Sequence, residues 1–201
     1  TIVGDLGDGT IAGTAVTSSE MRDETLWELV TKHFNAVTFG NELKMDAMLG
    51  NAKGATEQIT FNGVALEVPV IKFEEKAATS MLDKILAWNT ANPDKKLKVR
   101  GHVLVWHSQA PDWFFKENYE DDMEAPLADK ETMLARMEHM IKGVLTFVQT
   151  EYPGVIYAWD VVNEAIEERD EEGWRKRSPW YQTLGDEFVI NAFRFARKYA
   201  A

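Results

Sequence analysis

The chain alternates short apolar runs with longer amphipathic segments. Strand-like runs lie near 11–16, 36–39, 97–105 and 155–162, and apolar residues recur at helical spacing in the segments that follow them. Strands that alternate with helices form a parallel sheet whose faces the helices cover. The pattern therefore predicts an α/β fold, and we expect about the first four βα units of a (β/α)8 TIM barrel.

The first helical segment carries its own start signal. Thr17 and Glu20 have the spacing of a capping box, in which each side chain satisfies the other residue's backbone N–H. Leu26, Val30 and Phe34 then recur at helical intervals. We expect one helix after the first strand, with these three side chains on its apolar face.

A hairpin interrupts the second βα connection. Asn62-Gly63 separates the apolar runs 58–61 and 64–68, and this dipeptide is a strong signal for a type I′ turn. We interpret the segment near 58–68 as a hairpin insertion in a loop of a single domain that includes the whole of 1–201.

Polar residues follow the apolar runs where the strands end. In a TIM barrel the carboxyl ends of the strands form one rim, which is where active sites lie. Glu164, at the end of the fourth run, is the candidate catalytic acid, although a cap or an ion pair with the next helix explains its position alone equally well. The residues expected at this rim are Asn41, Lys44, His102, Trp106, Gln109, Asn163 and Glu164.

Composition limits the partners. The net charge of -11 disfavours nucleic acid and an anionic membrane surface, and no apolar run approaches the roughly 20 residues that span a bilayer. The seven tryptophans suit the flat faces of sugar rings. The chain has no cysteine, so cysteine usage does not indicate a compartment. We expect neither a nucleic-acid nor a membrane partner.

Two other classes of function need weighing. A metal-dependent barrel hydrolase would use histidine and acidic ligands, but strand alternation places His102 and His107 on opposite faces and no closely spaced histidine pair exists. We therefore expect no metal and no cofactor. The second alternative is a carbohydrate-binding half-barrel without catalysis.

Two motifs carry a resemblance to a known family. RGHVLVWHSQ at 100–109 and WDVVNE at 159–164 resemble the family 10 glycoside hydrolases, the endo-1,4-β-xylanases. NELKMD at 41–46 matches the family's block after strand two, and the resemblance covers essentially the whole chain. It implies that 1–201 is the N-terminal part of one catalytic domain that hydrolyses xylan and xylo-oligosaccharides with retention of configuration.

The resemblance also implies roles for individual residues. It makes Glu164 the general acid/base and gives Asn163 a hydrogen bond to the 2-hydroxyl of the reacting sugar. It makes Trp106 part of the floor under that sugar. The residues that it implies for polar contacts on the non-reducing side are Asn41, Lys44, His102 and Gln109.

Two departures from the family matter. Gly40 stands where members often have a glutamate, so one sugar contact is missing. The family's nucleophilic glutamate comes from strand seven, beyond Ala201, and we reject Glu42, Asp112 and Glu167 as replacements. We therefore predict a C-terminal half of the barrel as a separate chain or a missing segment. Because xylan is a polymer, we expect secretion.

Overall fold

The computed structural model describes residues 1, 2, 4 and 9–201. No helix in these residues is both long and apolar enough to cross a membrane. The helices and strands in chain order are β1 (Gly13–Val16), α1 (Ser18–Arg22), α2 (Glu24–His33), β2 (Ala36–Phe39), α3 (Met45–Leu49), β3 (Thr56–Phe61), β4 (Val64–Pro69), a 3-10 turn (Phe73–Glu75), α4 (Ala77–Ala91), β5 (Lys98–Val105), a 3-10 turn (Asp112–Phe115), α5 (Lys130–Glu151), β6 (Ile156–Val162), α6 (Pro179–Leu184) and α7 (Glu187–Tyr199).

The main sheet has four strands in the part of the chain that the structure describes, in the order β1-β2-β5-β6. β1 pairs in parallel with β2, and β2 pairs in parallel with β5. The Val99 N–H donates to the Val155 carbonyl at 2.8 Å and the Asn163 N–H to the Val105 carbonyl at 3.0 Å, so β5 and β6 also run in one direction. Each strand precedes a helical segment, which confirms the predicted βα units.

The chain forms two compact units, and the first comprises Thr1–Leu43, Phe73–His102 and Phe147–Asp160. Its most deeply buried residues include Val37 and Phe39 of β2, Val99 of β5, and Leu82 and Ile85 of α4. The rings of Trp27 and Trp88 meet edge to face with their centroids 5.8 Å apart; Trp27 is buried, whereas Trp88 is only partly buried.

The second unit comprises Lys44–Lys72, Val103–Thr146 and Val161–Ala201. An aromatic cluster lies at its centre, where the Phe115 and Trp180 rings meet edge to face at 5.0 Å and Phe114 packs against both. The part of α5 up to Thr146 belongs to the same unit and buries apolar side chains. Its most deeply buried residues are Met133, Met137 and Ile141.

The region after β1 contains two helices where one was predicted. The predicted capping box is present: the Thr17 N–H donates to Glu20 Oε2 at 2.7 Å, and the Glu20 N–H donates to Thr17 Oγ1 at 3.4 Å. The helix nevertheless ends after Arg22. Asp23 takes an extended conformation, and its carboxylate caps α2 by accepting two backbone N–H groups at 2.9 and 3.1 Å. A short polar side chain at this position binds nearby backbone N–H groups, and these hydrogen bonds compete with those of a continuous helix.

The apolar face of α2 is centred on Trp27 and Val30, which are buried. Leu26, predicted to face inward, is 42% exposed, so the prediction for Leu26 was wrong. Leu26 precedes Trp27 by one residue, about 100° around the helix, and therefore lies at the edge of the buried face.

The predicted hairpin is formed by β3 and β4. The strands are antiparallel, Phe61 lies opposite Val64, and Asn62 and Gly63 have φ values of 50° and 85°. Two consecutive positive φ angles are those of the type I′ turn that the dipeptide indicates. Whether the hairpin is an insertion in a single domain stays a prediction.

Gly101 permits a close approach inside the first unit. A Cβ atom at this position would overlap the indole ring of Trp159. The glycine in the β5 motif and the tryptophan in the β6 motif are therefore required together, because any side chain at 101 would displace the ring.

Candidate active site

Glu164 lies just beyond the last residue of β6. The Asn163 N–H donates to the Val105 carbonyl, so the pairing with β5 continues past the assigned strand. Glu164 then adopts φ +52°, a left-handed conformation that costs a non-glycine residue about 1 to 2 kcal/mol. Its side chain is 48% exposed. The strand therefore ends in a sharp turn that presents the carboxylate to solvent.

Trp106 holds this carboxylate from the end of β5. Its indole Nε1 donates to Glu164 Oε2 at 3.0 Å, and its own backbone carbonyl accepts from Trp180 Nε1 at 3.0 Å. Trp180 is buried in the aromatic cluster of the second unit. The Lys44 ammonium lies 5.1 Å from the centroid of the Trp106 ring, within cation–π range. Lys44, Trp106 and Glu164, all predicted site residues, thus lie together.

His107 is a titratable side chain close to the candidate acid. Its Nε2 lies 3.8 Å from Glu164 Oε2, which is too long for a hydrogen bond. Burial and the positive charge of Arg175 lower the pKa of His107 below its ordinary 6.5, against the opposite effect of Glu164. The imidazole is therefore neutral at pH 7 and forms no ion pair with the acid.

Lys44 and Gln109 form a second pair in the same unit. The Lys44 ammonium donates to Gln109 Oε1 at 2.6 Å, and Lys44 is only 8% exposed. Gln109 has φ +47°, and its backbone carbonyl accepts from the Asp46 N–H at 2.9 Å. The amide and the amine therefore hold each other in place.

Asn41 belongs to the first unit, beside a glutamate with a structural role. The Glu42 carboxylate accepts from the Ser18 N–H at 2.5 Å and from the Asn41 N–H at 3.1 Å, and Glu42 is 8% exposed. A Cβ atom at Gly40 would approach the Thr17 methyl group to 3.1 Å. Glu42 thus joins the β2 end to the start of α1, which agrees with its rejection as a nucleophile.

His102 also lies in the first unit, where it contacts an acid that the sequence analysis missed. Its Nδ1 lies 2.9 Å from Asp160 Oδ2, and Arg100 donates to Asp160 Oδ1 through two nitrogens. Burial raises the pKa of Asp160, but the hydrogen bonds from Arg100 and His102 outweigh it and lower the pKa below 3.8. The pairing depends on the register of β5 and β6, which the alternation of side chains along one strand does not contain.

Replacing this acid should change how stability depends on pH. A lowered native pKa means that ionised Asp160 stabilises the fold above its ordinary 3.8 and that this contribution disappears as the pH falls through the native value. We expect Asp160→Asn to lower the free energy of unfolding by about 1 kcal/mol at pH 7, with the difference shrinking as the pH falls below 3.8 and through the lowered native pKa. Urea unfolding across this range measures it. The exposed Asp94→Asn is the control, and a difference for Asp160→Asn that stays constant with pH would contradict the assignment.

The other two acids rejected as nucleophiles have different surroundings. Glu167 Oε2 accepts from Arg175 at 2.9 Å and from Arg177 at 3.2 Å, so its carboxylate anchors the loop after β6. Asp112 begins the 3-10 turn and is exposed. Among residues 9–201 and the described part before them, no group of three histidine or acidic side chains could hold a metal ion.

The fold and the site together define a class. A parallel βα sheet that carries an acid, an indole and an amine at its strand ends is part of a (β/α)8 barrel with its site at the rim. The family model for glycosyl hydrolase family 10 matches residues 6–201, and the chain belongs to this family. Family members are (β/α)8 barrels, of which this chain covers about the first half, as predicted.

Relatives support this assignment. Endo-1,4-β-xylanase B of Butyrivibrio fibrisolvens is 40% identical over 189 residues, which are 94% of this chain and 27% of that protein. The xylanase structure from Caldicellulosiruptor owensensis has a TM-score of 0.74 at 28% identity, with 100% of this chain and 50% of that chain covered. Xylanase 10B of Clostridium thermocellum, solved with xylohexaose, gives 0.73 at 31% identity over 95% of this chain and 36% of that chain. The chain spans half or less of these proteins.

Proposed function

We propose that the protein containing this chain cleaves internal β-1,4-xylosidic bonds of xylan by a retaining double displacement, with Glu164 as general acid and then general base. The observation that carries the proposal is the hydrogen bond from Trp106 Nε1 to Glu164 Oε2 at 3.0 Å. This hydrogen bond holds the exposed carboxyl group of Glu164 at the end of a strand. The chain belongs to a glycosidase family, in which such a group can act as an acid.

The chemistry fits such a carboxyl group. A glycosidic oxygen leaves readily only when it is protonated, and the Glu164 carboxyl would supply that proton as the bond to the sugar breaks. The resulting carboxylate would then take a proton from the water that attacks the glycosyl-enzyme. The His107 imidazole is neutral at pH 7 and has no extra proton to donate to the glycosidic oxygen. Glu164 is therefore the proton donor in this proposal.

A retaining mechanism needs a second carboxylate about 5 to 5.5 Å from the first to form the glycosyl-enzyme. Two of the acids rejected as nucleophiles already have other partners, since Glu42 binds backbone N–H groups and Glu167 binds arginines. We propose that the nucleophile lies on the C-terminal half of the barrel, which this chain requires as its partner.

Sugar contacts would come from the polar residues around the acid. The fixed Lys44–Gln109 pair offers donors to hydroxyl groups, and the Trp106 ring offers an apolar face to a sugar. Asn163 would bind the 2-hydroxyl of the reacting sugar. His102, oriented by Asp160, and Asn41 would extend binding to the non-reducing side.

Solved relatives support xylo-oligosaccharides as ligands. The Clostridium thermocellum xylanase was solved with xylohexaose, and a glutamate-to-alanine variant of a Thermoanaerobacterium saccharolyticum xylanase with xylotriose. The second protein is described as intracellular, so secretion of the present protein stays a prediction.

Product analysis tests the proposed reaction. We expect the full-length protein to release xylo-oligosaccharides from xylan, and proton NMR to show the β-anomer as the first product. First release of the α-anomer would contradict the double displacement. Binding of xylohexaose without any new reducing ends would favour the alternative, a carbohydrate-binding half-barrel.

Asn163→Ala should lower turnover more than affinity. A hydrogen bond to the 2-hydroxyl strengthens as the oxocarbenium ion develops, so its loss affects the transition state most. We expect kcat on xylohexaose to fall about 100-fold with KM changed less than about threefold. Steady-state kinetics, with exposed Asn118→Ala as the control, measure both constants. An effect on KM alone would show that Asn163 only binds the substrate.

A further inference from the structure

The loop between β6 and α6 returns to the acid from which it starts. Ile166 and Trp174 form an isolated antiparallel bridge, and the Arg175 N–H donates to the Ala165 carbonyl at 2.9 Å. These contacts close the loop and place Arg175 beside the backbone of Glu164. A residue eleven positions along the chain thus contacts the candidate acid directly.

The Arg175 guanidinium group is held by two hydrogen bonds. Its Nε donates to the Glu164 backbone carbonyl at 2.9 Å, and its Nη1 donates to Glu167 Oε2 at 2.9 Å. The side chain is only 14% exposed. Because a guanidinium is planar and its donors are fixed relative to one another, the Glu167 contact also orients the bond to the Glu164 carbonyl.

These bonds act on a strained residue. Glu164 is a non-glycine residue at φ +52°, and such a conformation persists only where the surroundings determine it. The Asn163 N–H fixes the backbone before it, and Arg175 fixes the carbonyl groups of Glu164 and Ala165 after it. If the backbone relaxed to negative φ, the carboxyl group would swing away from its hydrogen bond with Trp106.

We propose that Arg175 is a positioning residue for the general acid, which holds the left-handed backbone of Glu164 so that its carboxyl group meets the glycosidic oxygen. The inference rests on the proposed function. The charge of Arg175 adds a second effect, because together with burial it lowers the pKa of His107 and keeps the imidazole neutral beside the acid.

The dependence on the leaving group separates this role from a general loss of structure. We expect Arg175→Met, in the full-length enzyme, to lower kcat/KM on xylan about 10- to 100-fold, since small misplacements of a reacting group cost this much. The same variant should lower kcat/KM on dinitrophenyl xylobioside less than about threefold, because this phenolate leaves without protonation. A merely structural role would lower both values equally.

Arg177→Met is the matched control. Arg177 lies in the same loop and donates to the same Glu167 oxygen at 3.2 Å, but its side chain is 75% exposed. We expect it to leave the ratio of the two kcat/KM values unchanged. Equal losses on both substrates for Arg175→Met, or the same ratio for both arginine variants, would overturn the inference.

A second variant guards against misfolding of the first. Lysine at 175 keeps the positive charge and can bind Glu167, but it lacks the fork that reaches the Glu164 carbonyl at the same time. We expect Arg175→Lys to retain the near-ultraviolet circular dichroism of the wild type and the selective loss on xylan. A wild-type ratio in a folded Arg175→Lys would overturn the inference. A wild-type enzyme inactive on both substrates would instead overturn the proposed function itself, and the inference with it.

Discussion

Glu164→Gln should nearly abolish the cleavage of xylan. The amide has the size of the carboxyl group and can still contact Trp106 Nε1, but it has no acidic proton for the glycosidic oxygen. We expect kcat/KM on xylan to fall about 100- to 10,000-fold, which is the usual contribution of general acid catalysis. On dinitrophenyl xylobioside, the first step should fall less than about tenfold.

The comparison of the two substrates carries this test. Glu168→Gln, on the exposed part of the same loop, removes one negative charge nearby and should change neither rate by more than about twofold. Equal losses on both substrates would show that Glu164 does not act as the acid. Azide offers an independent measurement of the general-base role. A small anion attacks the glycosyl-enzyme directly, without a general base, and so restores the turnover of an enzyme that has lost its base.

Arg136→Met should produce the largest loss of stability. Arg136 is 1% exposed, and its guanidinium donates to the carbonyl groups of Phe114, Lys116 and Glu117 at 2.6, 2.8 and 3.0 Å. It also lies 3.8 Å from the centroid of the Tyr119 ring. Methionine fills a similar volume but leaves three carbonyls without this donor. We expect a loss of about 3 to 5 kcal/mol in the free energy of unfolding.

Urea unfolding measures this loss as a lower midpoint at an unchanged slope. Lys142→Met is the control, since it removes a positive charge from the exposed side of the same helix, 5.9 Å from the Tyr199 ring. It should cost less than about 1 kcal/mol. Similar losses for the two variants would show that the bonds from Arg136 to the backbone contribute little.

Short-range patterns in the sequence predicted most of the fold. Strand and helix periodicities, the capping box at Thr17 and the turn at Asn62-Gly63 depend on residues a few positions apart, and the structure contains all of them. The exception was the helix after β1. There the Asp23 carboxylate caps a new helix, and a periodicity of apolar residues does not detect such competition.

The candidate site was predicted as a set of strand-end residues, but not as a set of contacts. Trp106 meets Glu164, and His102 meets Asp160, across 58 residues of sequence in each pair. Such pairs depend on the register of neighbouring parallel strands, which no local pattern contains. Asp160 and Arg175 were missed for this reason, although Asp160 lies inside the motif at 159–164 and Arg175 in the loop that follows it.

The amino-acid order alone was enough for the α/β class, the family and the choice of Glu164 as the candidate acid, because periodicity, turn chemistry and motif spacing are local properties. Folding in three dimensions was needed to show how the acid is held. The positive φ of Glu164, the indole bond from Trp106 and the guanidinium bond from Arg175 arise where separate segments meet. Their geometry follows from strand register and loop closure, and so from contacts between residues that are distant in the chain.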